Sequence, residues 1–66
     1  MGTFSIWYIG VFGEPVHWES GYTRRQLRRA LHAARSCAHG CIWNTIWLLK
    51  RKRKTIARIP SARRSA

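Results

Sequence analysis

The chain has 66 residues, of which 13 are Lys or Arg and only two are Asp or Glu, so its formal net charge is +11. A chain of this length holds at most one small domain and buries a low fraction of its surface. Glu14 and Glu19 are the only carboxylates, and no phosphate loop or nucleophile motif accompanies them, so we expect that the protein is not an enzyme.

The first part of the chain predicts a β-hairpin over residues 3–18. Residues 3–12 are rich in aromatic and β-branched side chains, which favour the half-buried surface of a sheet. Residues 13–15 (Gly-Glu-Pro) are a turn signal, and residues 16–18 (Val-His-Trp) are a short candidate return strand. Because an isolated hairpin is marginal in water, we expect the next helix or a partner to cover one face.

Residues 24–38 give the clearest signal in the chain, an amphipathic helix. Thr23 and Gln26 have the spacing of a capping box, and Gly40 follows as a residue that commonly ends a helix. At about 100° per residue the apolar and basic side chains separate onto opposite sides, which predicts one buried face. The apolar side holds Leu27, Ala30, Leu31, Ala34, Cys37 and Ala38, and the basic side holds Arg24, Arg25, Arg28, Arg29, His32 and Arg35.

The arginines near the start of this helix are unfavourable for the helix itself. They oppose the helix dipole, and pairs such as Arg24 and Arg28 repel each other at i,i+4. Bound phosphates would relieve both penalties. Arg outnumbers Lys 10 to 3 in this chain, and guanidinium groups bind phosphate bidentately and stack on bases.

The segment after Gly40 favours a second helix, over residues 42–58, although a strand remains open for residues 41–49. As a helix it places Ile42, Ile46 and Leu49 on one side, whereas as a strand it gives no regular alternation. Pro60 is expected to end it, and residues 60–66 are expected to form a flexible basic tail. The expected fold class is therefore α+β: one small domain over residues 1–59, with an N-terminal β-hairpin followed by one or two amphipathic basic helices, and then the tail.

The charge is distributed very unevenly along the chain. Residues 24–66 hold all 13 Lys and Arg and no acid, whereas residues 1–23 hold both Glu and no Lys or Arg. Such a basic segment repels itself, and a polyanion would relieve the repulsion. We expect an RNA-binding structural protein, a small accessory subunit of a ribosome or another ribonucleoprotein. Its expected partners are rRNA or another structured RNA and the neighbouring proteins of the particle, with no small-molecule substrate.

The expected contacts to nucleic acid come from the helix, the basic run 50–54 and the tail. DNA remains open because DNA and RNA present the same phosphates. An exposed Trp beside the basic run would stack on unpaired bases. The predicted residues are Arg24, Arg25, Arg28, Arg29, His32, Arg35, Lys50, Arg51, Lys52, Arg53, Lys54, Arg58, Arg63, Arg64 and Trp47.

Two other functions fit the same residues. In the first, Trp43 and Trp47 followed by the basic run 50–54 form an interfacial helix on anionic lipid, as in a membrane-surface protein such as a viral or lytic factor. In the second, residues 43–59 form a basic target helix for an acidic, calmodulin-like partner.

The cysteines and histidines give a weaker signal. Cys37, His39 and Cys41 cluster with His32 upstream, but structural zinc sites usually need two separated ligand pairs, so we expect no metal and no other cofactor. Two cysteines cannot build a disulfide-dense secreted scaffold, and no apolar run reaches the ~20 residues of a membrane span. We expect an intracellular reducing compartment, the cytoplasm or an organelle matrix, with the nucleus as a further option because of the basic run.

Overall fold

A computed structural model describes residues 3–61, which form a four-stranded sheet with one helix packed on it. The strand order across the sheet is β2-β1-β3-β4, and every neighbouring pair is antiparallel. Two hairpins therefore lie side by side with the helix as their connection, and the α+β class is confirmed. The elements in chain order are β1 (Phe4–Ile9), β2 (Pro15–Tyr22), a 3-10 turn (Arg24–Gln26), α1 (Leu27–Gly40), β3 (Ile46–Arg51) and β4 (Lys54–Pro60).

The predicted N-terminal hairpin is confirmed in part. β1 and β2 pair as expected, but β2 continues to Tyr22 instead of ending at Trp18. The register shifts twice along this pair, and each shift leaves one extra residue on β2. Gly21 is the extra residue at the first shift, where its φ of 101° is a conformation that glycine adopts readily. Trp18 is the extra residue at the second.

The predicted helix over residues 42–58 is wrong, because this segment forms the second hairpin, β3 and β4. β3 is an interior strand, and its three central residues Trp47, Leu48 and Leu49 are all buried. Trp47 and Leu49 face the helix, and Leu48 is buried among neighbouring side chains on the other face, so three successive residues are apolar and the strand shows no period of two in its sequence. The basic run, which was expected inside the helix, instead ends β3, forms the turn and begins β4.

The first predicted helix is confirmed, with small changes at both ends. It starts as a 3-10 turn, and Gly40 is its last residue and not the residue after its end. The Thr23 backbone N–H donates to Gln26 Oε1 over 3.0 Å, which is the glutamine half of the expected capping box. The buried positions of α1 are Ala30, Ala34 and Ala38, so the apolar face was predicted correctly.

The core lies between α1 and one face of the sheet. The helix contributes small alanines, so its backbone approaches the sheet closely, and the large side chains come from the two central strands. Ile6 and Leu49 have no exposed surface, and they mark the centre of this layer. The buried cluster comprises Phe4, Ile6, Ala30, Ala34, Ala38, Cys41, Trp47 and Leu49.

The predicted tail over residues 60–66 begins too early. Pro60 pairs with Ile46 at the end of β4. The Ser61 backbone N–H donates to the Thr45 carbonyl over 2.9 Å, and its hydroxyl donates to the Trp43 carbonyl over 3.0 Å. The rest of the predicted tail lies outside the described residues. Among residues 3–61, no helix is long and apolar enough to cross a membrane.

Candidate nucleic-acid interface

Two basic segments that are distant in sequence lie at the same end of the sheet. Tyr22, the last residue of β2, and Arg51, the last residue of β3, both pair with Phe4. Neighbouring strands are about 4.8 Å apart, so the 3-10 turn that follows Tyr22 and the β3–β4 turn lie at the same end. We call this group the basic end, and its members are Arg24, Arg25, Arg51, Lys52, Arg53 and Lys54.

The six side chains of the basic end are all exposed. The described segment contains 11 Lys and Arg, the 13 of the chain less Arg63 and Arg64, but only two carboxylates. Glu19 accepts a hydrogen bond from the Tyr22 hydroxyl, which raises the pKa of that hydroxyl. Glu14 lies against Gly10 in the β1–β2 turn, where its carboxylate occupies the space that any larger side chain at residue 10 would need. Two carboxylates cannot neutralise this surface.

The β3–β4 turn carries a cation where the backbone favours glycine. Lys52 has a φ of 55°, in the left-handed region, and it is the first of the two residues between the strands. Two-residue hairpin turns with a positive φ at this position usually have glycine there. Arg51, Lys52, Arg53 and Lys54 line a shallow depression of about 270 Å³. The turn thus presents four adjacent cations despite a strained backbone.

The exposed face of α1 continues the positive surface away from the basic end. Its predicted members Arg28, Arg29, His32 and Arg35 are all exposed. His39 was not among the predicted contact residues, but it extends this face because it lies four residues after Arg35 at helical spacing. A depression of about 410 Å³ lies here, lined by His32, Arg35, Ser36, His39 and Gly40.

Two predicted contact residues lie apart from this surface. Leu48 pairs with both Trp7 and Arg58, and it does not belong to the core cluster under α1. Alternation along the strands therefore places Arg58 and Lys50 on the sheet face away from the helix. Lys50 Nζ lies 5.0 Å from the centre of the Trp7 ring, a cation–π contact that holds Lys50 to the sheet.

Trp47 was predicted to contact bases, and the structure instead buries it to 3% exposure. Its ring centre lies 5.1 Å from that of Tyr8 and 5.4 Å from that of Trp18. The prediction of Trp47 as a surface residue is wrong because β3 is central in the sheet and Trp47 faces the helix. Its indole Nε1–H has no hydrogen-bond acceptor within residues 3–61. An unpaired buried donor costs about 1–3 kcal/mol.

Three of the four tryptophans, Trp18, Trp43 and Trp47, form an aromatic cleft at the C-terminal end of α1. The extra residue in β2 brings Trp18 to the helix side of the sheet, where it meets Trp47, and Trp43 lies across Tyr8 at 6.0 Å between ring centres. Trp18 is 55% exposed and Trp43 is 43% exposed. The cleft has a volume of about 300 Å³ and is lined by Trp18, Ser36, Cys37, Gly40, Cys41, Ile42, Trp43 and Trp47.

The cysteines in this cleft are free thiols. Burial raises the pKa of Cys37, and the negative charge of Glu19 raises it further, so the thiol stays protonated at neutral pH. Within residues 3–61, no three His, Cys, Asp or Glu side chains gather into a group that could hold a metal ion.

The surface as a whole offers cationic hydrogen-bond donors at one end and aromatic rings at the other. Arg63 and Arg64, the remaining predicted contacts, lie beyond the described part of the chain. Comparisons of the chain with protein-family models, with curated proteins and with solved structures found no match. Charge and geometry are therefore the basis for assigning a function.

Proposed function

We propose that this protein is an RNA-binding structural protein, a small accessory subunit of a ribosome or another ribonucleoprotein. The observation that carries the proposal is the basic end, where six exposed cations from two separate segments gather with no carboxylate among them. Arginine forks bind phosphate oxygens bidentately, and phosphate contacts position a protein without requiring a particular base sequence. The partner would be a structured RNA that is recognised by the path of its backbone.

The exposed face of α1 supports the same proposal. It begins at the basic end and carries Arg28, Arg29 and Arg35 along the helix. Guanidinium groups spread along one helix face match a series of phosphates better than they match a single small anion. Bound phosphates would also screen the repulsion between arginines at i,i+4, which destabilises the free helix.

Neighbouring proteins of the particle would meet the other end of the molecule. Val11 is 86% exposed and Phe12 is 92% exposed in the β1–β2 turn, and Ile42 is 72% exposed after α1. These apolar side chains lie at the end of the sheet away from the basic end, because β1 runs from Phe4 to Ile9 between the two. In such a particle the RNA would contact the basic end of this protein, and neighbouring proteins would cover the apolar side chains at its other end.

The segment that the two other functions place in a helix forms a hairpin in this structure. A membrane-surface helix requires Trp43 and Trp47 beside the basic run, but Trp47 is buried. Trp43 lies before β3, whereas the basic turn lies after it, and a strand of this length spans roughly 17 Å. The calmodulin-type target over residues 43–59 contains a hairpin and not a helix.

Equilibrium binding across a salt series tests the proposal. We expect the logarithm of the RNA affinity to fall linearly with the logarithm of the salt concentration, with a slope that counts phosphate contacts. Exchanging Arg51 and Arg53 together for Gln should make that slope shallower by about two. The matched control is the pair Lys50→Gln and Arg58→Gln, on the other sheet face, which should change the slope less.

Anionic vesicles serve as the competing ligand in the same salt series. Vesicle binding that exceeds RNA binding at physiological salt and survives high salt would contradict the proposal. So would RNA binding that is equally affected by the two pairs of substitutions.

A further inference from the structure

The aromatic cleft and the cationic depression on α1 share a wall. Ser36 and Gly40 line both, so the two sites are neighbours on either side of these residues near the C-terminal end of α1. One side of this wall presents the rings of Trp18 and Trp43, and the other presents Arg35 with His32 and His39. No carboxylate lines either site among the residues described.

We propose that the cleft binds the base of one unpaired RNA nucleotide, while Arg35, with His32 and His39 beside it, contacts the adjoining phosphate. This inference rests on the proposed function and deepens it. The basic end would hold the backbone of a paired region, and the cleft would bind an unpaired base at the other end of the molecule.

The shape and size of the cleft favour a small planar group. Its volume of about 300 Å³ lies at the low end of the range for ligand sites, roughly 300–1,000 Å³. The Trp18 and Trp47 rings meet edge to face at 86°, and both Trp18 and Trp43 keep about half of their surface exposed. Exposed aromatic faces stack on any base, since every base has a π-face.

A cationic group beside the cleft favours a nucleotide over an alkyl chain. The guanidinium of Arg35 on the other side of the wall complements a phosphate and would not be used by an apolar peptide. Aromatic and cationic groups side by side therefore match a nucleotide.

The test compares a blunt RNA duplex with the same duplex carrying a short single-stranded overhang. We expect the wild-type protein to bind the overhang form about 5-fold to about 150-fold more tightly, the range for stacking one base on an aromatic side chain. Trp43→Ala should abolish this preference while binding to the blunt duplex is kept. The matched control is Phe12→Ala, an exposed aromatic residue at the same end that does not line the cleft.

A second pair of variants tests the phosphate contact. Arg35→Gln should reduce the preference for the overhang more than Arg28→Gln does, because both are exposed on α1 but only Arg35 lines the depression. Each variant removes one charge, so the general electrostatic loss is the same.

Alkylation of Cys37 gives a readout that needs no substitution. Cys37 lines the cleft, so a bound overhang should slow its alkylation in the wild-type protein, whereas the blunt duplex should not. Equal affinity for the two duplexes, together with no protection of Cys37 by the overhang, would overturn this inference and leave the proposed function standing. Absence of binding to both duplexes would overturn the proposed function, and the inference with it.

Discussion

Lys52 shows how a single residue links the backbone to the proposed function. Its φ of 55° costs a non-glycine residue about 1–2 kcal/mol relative to a right-handed conformation. Departures from local preference tend to occur where function requires a particular side chain. A cation held in a strained position between Arg51 and Arg53 is consistent with selection for charge at this turn.

Lys52→Gly is predicted to have opposite effects on stability and on binding. Relief of the left-handed backbone should raise the free energy of unfolding by about 0.5–1 kcal/mol, after allowance for the greater freedom of glycine in the unfolded chain. Loss of the cation should weaken RNA binding and make the salt slope shallower by about one. Urea denaturation and the binding series measure the two effects.

Lys52→Ala separates strain from charge, because alanine removes the cation and keeps the backbone penalty. It should weaken RNA binding as Lys52→Gly does, without the gain in stability. Equal stability of the glycine and alanine variants would show that the turn is not strained at this residue.

Cys37 is predicted to react slowly with alkylating reagents near neutral pH. Burial is the main cause of its raised pKa, and the Glu19 charge adds to it, so the reactive thiolate is scarce until the pH exceeds the ordinary range of a thiol. Glu19→Gln should lower that pKa and shift the rise of the alkylation rate to lower pH. Mass spectrometry of the peptide that contains Cys37, over a pH series, measures the rate.

Glu14→Gln is the control for that experiment, since it makes the same change in charge but lies against Gly10 in the β1–β2 turn. The alkylation rate of Cys37 should depend on pH in this variant as it does in the wild-type protein. A profile that moves equally in both variants would point to the overall charge of the protein and not to the proximity of Glu19.

At the scale of elements, the position of α1 depends on its alanines. Ala30, Ala34 and Ala38 face the sheet and are almost completely buried, so there is no room beneath the helix for a larger side chain. We predict that Ala34→Leu destabilises the protein by about 1–3 kcal/mol, because overpacking forces the helix away from the sheet. Urea denaturation measures the loss.

His32→Leu is the corresponding control, because it places the same side chain on the exposed side of the same helix. Its effect on stability should be within about 0.5 kcal/mol, as for most surface substitutions. Similar losses in both variants would mean that the alanine face does not determine the packing distance.

The two hairpins show where sequence patterns succeed and fail at this scale. β1 lies against the helix on one side, and its aromatic and β-branched residues, bounded by the turn at residues 13–15, were enough to predict a strand. β3 has buried residues at three successive positions, 47–49, so its pattern has neither the period of a helix nor that of a half-buried strand. Only the pairing of this segment with β1 and β4 decides that it is a strand and not a helix.

At the scale of the whole molecule, the charge and the exposed apolar side chains are separated along the sheet. The basic end lies where β1 begins, and the exposed turn with Val11 and Phe12 lies beyond the end of β1. Repulsion within the basic end opposes folding, and it is screened over about 10 Å at 0.1 M salt. The free protein should therefore be more stable at high ionic strength.

We predict that raising NaCl from low to moderate concentration increases the free energy of unfolding by about 1 kcal/mol, which is roughly 4–8 °C in Tm for a domain of this size. Thermal denaturation followed by circular dichroism measures the change. The double variant with Gln at Arg51 and Arg53 should respond less to salt. A Tm that falls as salt is added would show that repulsion at the basic end is not a main cost of folding.

The sequence by itself determined the basic segment 24–66, the helix from Thr23 onward, the start of the first hairpin and the exposure of the helix arginines. These features depend on local composition and on the period of one element, which neighbouring residues encode. The tertiary structure decided that residues 46–60 form strands, that Trp47 is buried, and that the β3–β4 turn joins Arg24 and Arg25 at one end. Each of these depends on pairing between segments far apart in the chain, and the pairing energy belongs to both partners, so neither segment alone encodes it.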